Sequence, residues 1–249
     1  MGTDRTRTSG QGGTRRTGFM DTAQQAGEPE GPTTGSPTGD GADRAGFSLP
    51  VRELARQLGI EHMDGRAAVT LAAIRSFALR GYYGTTIQSI ANEVGMTKAG
   101  VLHHVGSKEG LLEMVLDDLY DGQTAQVISH TLSQPRPLIA RMWRETVAIN
   151  ARRPLLVHMF STLTTEALDP DHPAHEYFQA RERTIVDTAL NIRWSLPKDV
   201  DAASLIRAGF SMMDGLQLRW LRAPGQDLEA MWAECEPVLF PLPLWKGYI

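Results

Sequence analysis

The chain has 249 residues, a single cysteine and a formal net charge of −4. Its hydrophobic content of 41% is enough to bury a sizeable core. Because Cys235 has no second cysteine to pair with, an intramolecular disulfide framework and a multi-cysteine zinc site are excluded, and the chain needs no oxidising compartment. The sequence shows no long apolar run and no signal-peptide layout, so we expect a cytoplasmic protein without a membrane partner.

Charge is distributed unevenly along the chain. Residues 66–112 carry five Lys/Arg against two Asp/Glu, whereas residues 113–249 carry 13 Lys/Arg against 18 Asp/Glu. A polyanion would be attracted to the first segment and repelled by the second. The sequence therefore predicts a basic module that can contact nucleic acid, followed by an acidic regulatory module.

The N-terminal region is predicted to contain a tail and one short helix. Residues 1–46 are rich in Gly, Thr, Ser and Pro and cannot offset the entropy of ordering, so we expect a disordered tail. Residues 47–65 are predicted as a short helical extension that ends at Gly59. Its string ELARQLG resembles the first half of a helix-turn-helix, but Asp64-Gly65 indicates a turn where the second helix would be needed.

Four helices are predicted after this extension. Hydroxyl residues stand where three of them begin, and glycines stand where the first two end. The predicted ranges are 66–79, 87–94 after the Thr86 cap, 98–104 after the Thr97 cap, and 108 to about 126 after the Ser107 cap.

The spacing of Ala91, Gly95 and Val101 is typical of a helix-turn-helix. Two helices that cross steeply need a small residue at the crossing, and the turn between them needs a positive φ, which glycine adopts without steric cost. Val101 would close the core from the second helix. Half of this pattern also occurs at Ala55 and Gly59, so the spacing by itself is a moderate signal.

The segment Gly95–Glu109, GMTKAGVLHHVGSKE, resembles the recognition-helix signature of the TetR/AcrR family, and the similarity extends from Gly81 to Leu112. The resemblance implies an all-α fold with an N-terminal three-helix helix-turn-helix DNA-binding domain, residues 66–112. It also implies a C-terminal helical ligand-binding and dimerisation domain, residues 113–249. The family usually has aromatic residues at three positions where this chain has Leu102, His104 and Val105.

By that resemblance, the start of the third helix enters the major groove while neighbouring helix ends hold phosphates. Lys98 can donate to guanine edges or to phosphate, and Lys108 follows a cap where free N–H groups already favour an anion. A solvated helix face with ordinary caps is the alternative interpretation. The candidate DNA-binding residues are Thr86, Thr97, Lys98, Ala99, Gly100, Leu102, His103, His104 and Lys108.

Residues 127–249 contain predicted helices near 136–150, 152–167, 173–195, 200–222 and 227–238. The 200–222 stretch is apolar around most of its circumference and must be covered on two sides. In TetR-like proteins the corresponding helix faces both its own core and a partner subunit, which implies a homodimer. The interface candidates are Leu205, Met212, Leu216, Leu228, Met231 and Trp232.

Methionines and aromatic residues in the same region could line a cavity for a small apolar or amphipathic ligand, although plain core packing is the alternative. The run Asp169–Glu176 could bind a divalent metal, but a polar loop with Asp171 or Pro173 at the start of the next helix is favoured. No metal or cofactor is expected. The pocket candidates are Trp143, Val147, His158, Met159, Phe160, Phe178, Met213, Gln217 and Trp220.

The function that the sequence predicts is a ligand-responsive transcriptional regulator, expected to be a repressor that binds a palindromic operator as a dimer and is not an enzyme. A helical enzyme is one alternative, but the chain lacks a glycine-rich phosphate loop, a nucleophile elbow and a paired-His metal helix. A helical adaptor whose basic face binds protein partners is the other.

Overall fold

The computed structural model describes residues 51–58, 60–117, 122–223 and 225–249, and all regular elements in these ranges are helices. The predicted tail, residues 47–50 of the extension and the predicted cap at Gly59 lie outside the described residues. The helices are α1 Val51–Gln57, α2 Gly65–Arg80, α3 Ile87–Val94, α4 Lys98–Val105, α5 Lys108–Val115, α6 Gly122–Ser133, α7 Ile139–Ala151, α8 Pro154–Glu166, α9 His175–Leu190, α10 Ala202–Arg222 and α11 Leu228–Leu239.

Helices α2–α4 form the helix-turn-helix unit, and local side chains determine where each begins. The Asp64 carboxylate caps α2 by accepting from the amide of Ala67 at 2.7 Å. Between α3 and α4, Gly95 adopts φ 69° and ψ 27°, the left-handed conformation that the steep turn requires. Ala91 and Val101 on either side of that turn have no exposed surface. The predicted helix-turn-helix geometry is therefore present.

The predicted helix from Lys108 to about Gln126 is described in two parts, on either side of residues 118–121, which lie outside the described residues. The helix that starts at Lys108 was expected to reach Gln126, but α5 ends at Val115 and residues 116–117 continue in a wider π-helical turn. A separate helix, α6, begins at Gly122 and extends to Ser133, beyond the predicted end.

The hydrophobic core contains two clusters of buried side chains. The first joins α2–α5 to α8, with Phe77, Leu111 and Leu155 fully buried in it. The second joins α7, α10 and α11 around Trp143 and Trp232. Because α8 shares the first cluster, the core of the helix-turn-helix unit extends into the C-terminal part of the chain. No helix in the described part of the chain is long and apolar enough to span a membrane.

Candidate nucleic-acid interface and cavity

The start of α4 presents an exposed polar surface. Thr97 caps the helix by accepting from the amide of Gly100 at 3.0 Å, and Lys98 and Ala99 are exposed immediately after it. His103 is exposed one turn later. The first amides of a helix have no intrahelical acceptor, so this end can donate hydrogen bonds to a phosphate or a base edge.

Two further helix starts carry the other predicted phosphate contacts. Thr86 is exposed and caps α3 in a reciprocal box with Ser89, in which the Thr86 hydroxyl oxygen accepts from the Ser89 amide at 3.0 Å. The Ser107 hydroxyl oxygen caps α5 by accepting from the amide of Gly110, also at 3.0 Å. Three consecutive eight-residue helices, α3–α5, therefore begin at hydroxyl caps.

Two of the predicted DNA-binding side chains pack against protein instead of facing outward. Leu102 is half-buried against the first core cluster. His104 is also half-buried, and a Cβ built on Gly65 at the start of α2 would lie only 2.9 Å from its Nε2 atom. Half-burial leaves less of each side chain available than for Lys98 or His103, and a DNA contact from Leu102 or His104 stays a prediction.

Lys108 is half-buried rather than extended into solvent. Its ammonium nitrogen lies 4.0 Å from the centre of the Tyr82 ring, in cation–π geometry. The Tyr82 hydroxyl donates to the Glu109 carboxylate at 2.6 Å. Burial lowers the pKa of Lys108, while the carboxylates of Glu109 and Glu166 act in the opposite direction. Lys108 is therefore held in a defined position at the start of α5.

Part of the basic charge of the helix-turn-helix unit is neutralised locally by an ion pair. The Arg75 guanidinium lies 3.1 Å from the Glu93 carboxylate, so this pair contributes no net positive charge to the surface. Arg80 and Lys98 are exposed. The positive surface is consequently concentrated at the helix ends rather than spread along α2.

A carboxylate from α8 holds the turn that follows α2. Glu166 accepts a hydrogen bond from the Tyr82 amide at 2.6 Å. The preceding residue, Gly81, has φ 69°, and a side chain there would overlap the Glu166 carboxylate. The buried His172 places its Nε2 atom 3.7 Å from the same carboxylate and packs its ring against Tyr82. We call Tyr82, Lys108, Glu109, Glu166 and His172 the tyrosine–glutamate junction.

Sequence reasoning missed the junction because Tyr82 and Glu166 are 84 positions apart. The Gly81-Tyr82 pair was recognised only as part of the family pattern. The buried state of His172 lowers its pKa, and the Glu166 and Asp169 carboxylates oppose that shift. The cluster thus combines a buried imidazole, a carboxylate and a lysine at the base of the helix-turn-helix unit.

The loop after Glu166 continues directly into the wall of a cavity. Ala167 and His175 both line that cavity, and the His175 Nδ1 atom lies 2.8 Å from the Ala167 carbonyl oxygen. Helix α9 begins at His175 after Ala174, without a side-chain cap, so the predicted cap at Asp171 or Pro173 is wrong. The His172 Nδ1 atom accepts from the Ala174 amide instead. Among the described residues, no group of three or more His, Cys, Asp or Glu is placed to hold a metal ion.

The cavity has a volume of about 630 Å³ and is lined mainly by side chains from α6–α10. Two aromatic pairs stand in its wall: Trp143 with Phe210, at a centroid distance of 4.9 Å, and Phe160 with Phe178, at 5.2 Å. Five of the predicted pocket residues line the cavity: Trp143, Phe160, Phe178, Met213 and Gln217.

The other four predicted pocket residues do not line this cavity. Met159 is fully buried in the first core cluster, and Val147 is buried in the second. The Trp220 indole N–H donates to the carbonyl oxygen of Gln226. His158 is half-buried outside the cavity wall. At these positions the helical spacing of large side chains reflects ordinary packing.

One side of the cavity is polar, which the sequence did not reveal. Gln217 is only 4% exposed, and its side chain lines the cavity. Asp214 lies one turn earlier on α10. Desolvation raises the pKa of Asp214 although solvent still reaches its side chain; Arg181 opposes the rise and Glu182 adds to it.

The predicted dimer surface needs revision. Leu228 and Trp232 are 1% and 2% exposed in the second core cluster, and Leu216 is 7% exposed, so they offer almost no surface to a partner. Leu205, Met212 and Met231 are half-buried and retain accessible apolar surface. Val238 on α11, which sequence reasoning did not include, is 77% exposed.

Comparison with known proteins agrees with this geometry. Residues 69–115 match the family model described as "Bacterial regulatory proteins, tetR family", a range that covers most of α2 and all of α3–α5. The HTH-type transcriptional regulator TtgR of Pseudomonas putida is 26% identical over 189 residues, which cover 69% of this chain and 87% of the relative.

Solved structures show the same fold. The ketosteroid transcriptional regulator KstR2 of Mycobacterium tuberculosis has a TM-score of 0.51 at 15% identity, over 72% of this chain and 94% of that chain. The TetR family regulator PfmR of Thermus thermophilus has a TM-score of 0.50 at 24% identity, over 70% of this chain and 98% of that chain. The family match over residues 69–115 and the similarity to TtgR identify the helix-turn-helix part of the chain as that of a DNA-binding transcriptional regulator of the TetR family, and the solved structures show that the other helices share the fold.

Proposed function

We propose that this regulator is a ligand-responsive repressor that binds a palindromic operator as a homodimer. Two copies are needed to present two α4 helices to successive major grooves of a two-fold site. Repression is the expected mode because it is the commoner one in the family. The apolar surface of Leu205, Met212 and Met231 is our candidate for the centre of the dimer interface.

DNA contact is assigned to the exposed ends of three helices. Lys98 and Ala99 face the groove at the start of α4, and His103 and Thr86 are placed for phosphates. Lys108 contributes from a position fixed by the Tyr82 ring. The ammonium group of Lys108 can contact the Tyr82 ring and a DNA phosphate at the same time, because a cation over an aromatic face can still donate hydrogen bonds away from the ring.

The observation that carries ligand responsiveness is the short connection from cavity to helix-turn-helix unit. Glu166 holds the Tyr82 amide, and Ala167, the next residue, lines the cavity. A ligand that displaces this part of the wall would move the carboxylate on which the turn after α2 depends. Such a displacement would change the relative position of α4 and α8, which is how a local contact becomes a change in operator affinity.

The cavity suits a small amphipathic ligand. Trp143, Phe210, Phe160 and Phe178 provide apolar contact area, and Gln217 adds a polar amide to the wall. A ligand whose polar group bonds that amide would satisfy a buried polar side chain, which is a favourable exchange.

DNA binding is tested by titrating the purified protein with the DNA that flanks its own coding region and with scrambled DNA at matched salt. Lys98→Ala and Lys108→Ala should each weaken specific binding, by roughly tenfold if each removes a single charge-assisted contact. Lys198→Ala, which removes the same charge from an exposed loop, is the control and should bind like the wild type. Absence of specific binding across a genomic fragment library would contradict the assignment.

Ligand response is tested with the neutral apolar probe N-phenyl-1-naphthylamine. Probe fluorescence should rise on binding to the wild type and stay low in Val186→Trp, which fills the cavity wall. Val238→Trp on the exposed face of α11 should behave like the wild type. If the probe occupies the cavity and operator affinity stays unchanged over its full titration, the proposed response is wrong while DNA binding stands.

A further inference from the structure

A second cavity lies between α1 and the turn that joins α7 to α8. It has a volume of about 540 Å³ and shares only Ile149 with the wall of the first cavity. Among the described residues that line it, three carry guanidinium groups and none carries a carboxylate. The lining residues, which we call the arginine pocket, are Arg56, Gln57, Ile149, Ala151, Arg152, Arg153 and Pro154.

The three arginines differ in how they are held. Arg56 is paired with the Glu53 carboxylate at 2.6 Å, and the Arg152 Nε atom donates to the Ala148 carbonyl oxygen at 2.8 Å. The Arg153 side chain is half-buried, and its buried Nη1 atom has no hydrogen-bond partner. The pocket therefore contains one positioned cation, one paired cation and one buried guanidinium nitrogen that still needs an acceptor.

The buried Nη1 atom of Arg153 is energetically unfavourable without a hydrogen-bond acceptor. Burial lowers the pKa of Arg153, and the nearby charge of Arg152 lowers it further. Leaving a cationic donor away from water without an acceptor costs free energy, and placing two like charges together adds to that cost. A bound anion would satisfy the donor and neutralise the pair of charges.

Other groups in the pocket extend the same chemistry. Helix α8 starts here at Pro154 with no side-chain cap, so the partial positive charge of its first turn is not compensated by a capping oxygen. The Gln57 Oε1 atom is buried and has no hydrogen-bond donor among the described residues. It can accept from a hydroxyl group. The pocket therefore offers donors for an oxyanion and an acceptor for a neutral hydroxyl.

We propose that the arginine pocket binds a phosphorylated small molecule. Planar guanidinium groups match the geometry of phosphate oxygens, and clustered arginines favour a multiply charged anion over a single carboxylate. The pocket is larger than one phosphate group needs, so the organic part of the molecule can lie along Ile149, Ala151 and Pro154 while its hydroxyl groups reach Gln57. This site is separate from the DNA interface and does not depend on the proposed response of the first cavity.

The test uses pyrophosphate as the probe, with sodium chloride at matched ionic strength as the reference and no DNA present. Calorimetric titration and thermal unfolding of the full chain should show saturable binding and a raised Tm in the wild type. Arg153→Gln should weaken binding by roughly tenfold or more, because a charge-assisted contact to the anion is lost. Arg183→Gln removes an exposed arginine from α9 and should bind like the wild type.

The DNA interface is a competing phosphate site, so its variants are included. Lys98→Ala and Lys108→Ala should leave pyrophosphate binding unchanged; loss of binding in these variants would overturn the proposal. Absence of pyrophosphate binding in the wild type would also overturn the proposal. If Arg153→Gln does not fold, the Arg56→Gln/Arg152→Gln double variant replaces it, and wild-type affinity in that variant would be the contradicting result.

Discussion

Gly209 is the residue at which α10 and Trp143 come closest. It is buried, and a Cβ built on it would overlap the indole ring, so only glycine lets the helix approach the ring this closely. Gly215 lies six positions further along α10, and no atom lies within 4 Å of the Cβ that an alanine would add there. Substitution of Gly209 therefore tests close packing, and substitution of Gly215 tests helix propensity, within the same helix.

Gly209→Ala should lower the free energy of unfolding by about 1–3 kcal/mol, because an added methyl group forces the ring or the helix to move. Gly215→Ala should raise it by about 0.5–1 kcal/mol, since alanine loses less backbone entropy in a helix. Urea unfolding monitored by circular dichroism measures both. Equal effects of the two substitutions would show that the Trp143 contact is not tight in solution.

Tyr82 and Glu109 provide a pH-dependent contribution to stability. The Tyr82 hydroxyl is the largest cause of the lowered pKa of Glu109, and the Glu109 amide and the Ser107 hydroxyl add to it. A carboxyl group whose pKa is lower in the folded state stabilises the fold above its unfolded pKa. That stabilisation is lost as the pH falls from the unfolded value, near 4.5, through the folded pKa.

Tyr82→Phe should therefore reduce the acid sensitivity of the protein. Below about pH 5 the wild type should lose stability more steeply than the variant. The variant lacks the hydrogen bond that lowers the pKa of Glu109 in the folded state relative to the unfolded state. Chemical unfolding at a series of pH values gives the slope for each protein. Tyr83→Phe, at an exposed neighbouring ring, is the control. Parallel slopes for all three proteins would refute the role of the Tyr82 hydroxyl.

Helices α3, α4 and α5 are each eight residues long and each begins at a hydroxyl residue. Helices this short are marginal without tertiary packing, so their caps contribute a large share of local stability. These starts could be predicted from sequence because a cap is a local interaction. The start of α9 could not, because Ala174 has no capping side chain and the backbone after Glu166 is held by His172 and His175.

Thr97→Ala should lower the free energy of unfolding by about 1 kcal/mol by removing the acceptor for the Gly100 amide. Thr97→Ser keeps that acceptor and should unfold close to the wild type. Operator affinity should follow the same order, because the first turn of α4 is the part placed in the groove. Urea unfolding and DNA titration on the same samples test this. A serine variant as weak as the alanine variant would assign the effect to the lost methyl group.

In the whole molecule, local and distant interactions differ in how far the sequence revealed them. The helix-turn-helix followed from caps, a left-handed glycine and spacing, all within a few residues of each other. The aromatic wall of the cavity could be predicted in part from the sequence, since Trp143 and Phe178 lie on inner helix faces. Gln217 did not follow, because a polar residue on a helix normally faces water and only tertiary packing turns this one inward.

The connection between the C-terminal helices and the helix-turn-helix unit depends on Glu166, which no local pattern indicated. Glu166→Ala would leave the part-buried Tyr82 amide without its acceptor, at a cost of about 1–3 kcal/mol in unfolding free energy. It would also remove a carboxylate that stabilises the charge of Lys108. Two measurements should respond together: faster hydrogen exchange at the Tyr82 amide and weaker binding to the operator.

Glu113→Ala is the matched control, because it removes an exposed carboxylate from the same part of the molecule, on α5. It should leave Tyr82 exchange unchanged and, by removing a negative charge near the DNA, should not weaken operator binding. Glu166→Gln should give an intermediate result, since its amide oxygen can still accept from Tyr82 but carries no charge for Lys108. Wild-type exchange and affinity in Glu166→Ala would mean that the two parts of the molecule communicate through the shared apolar core of α2 and α8 instead.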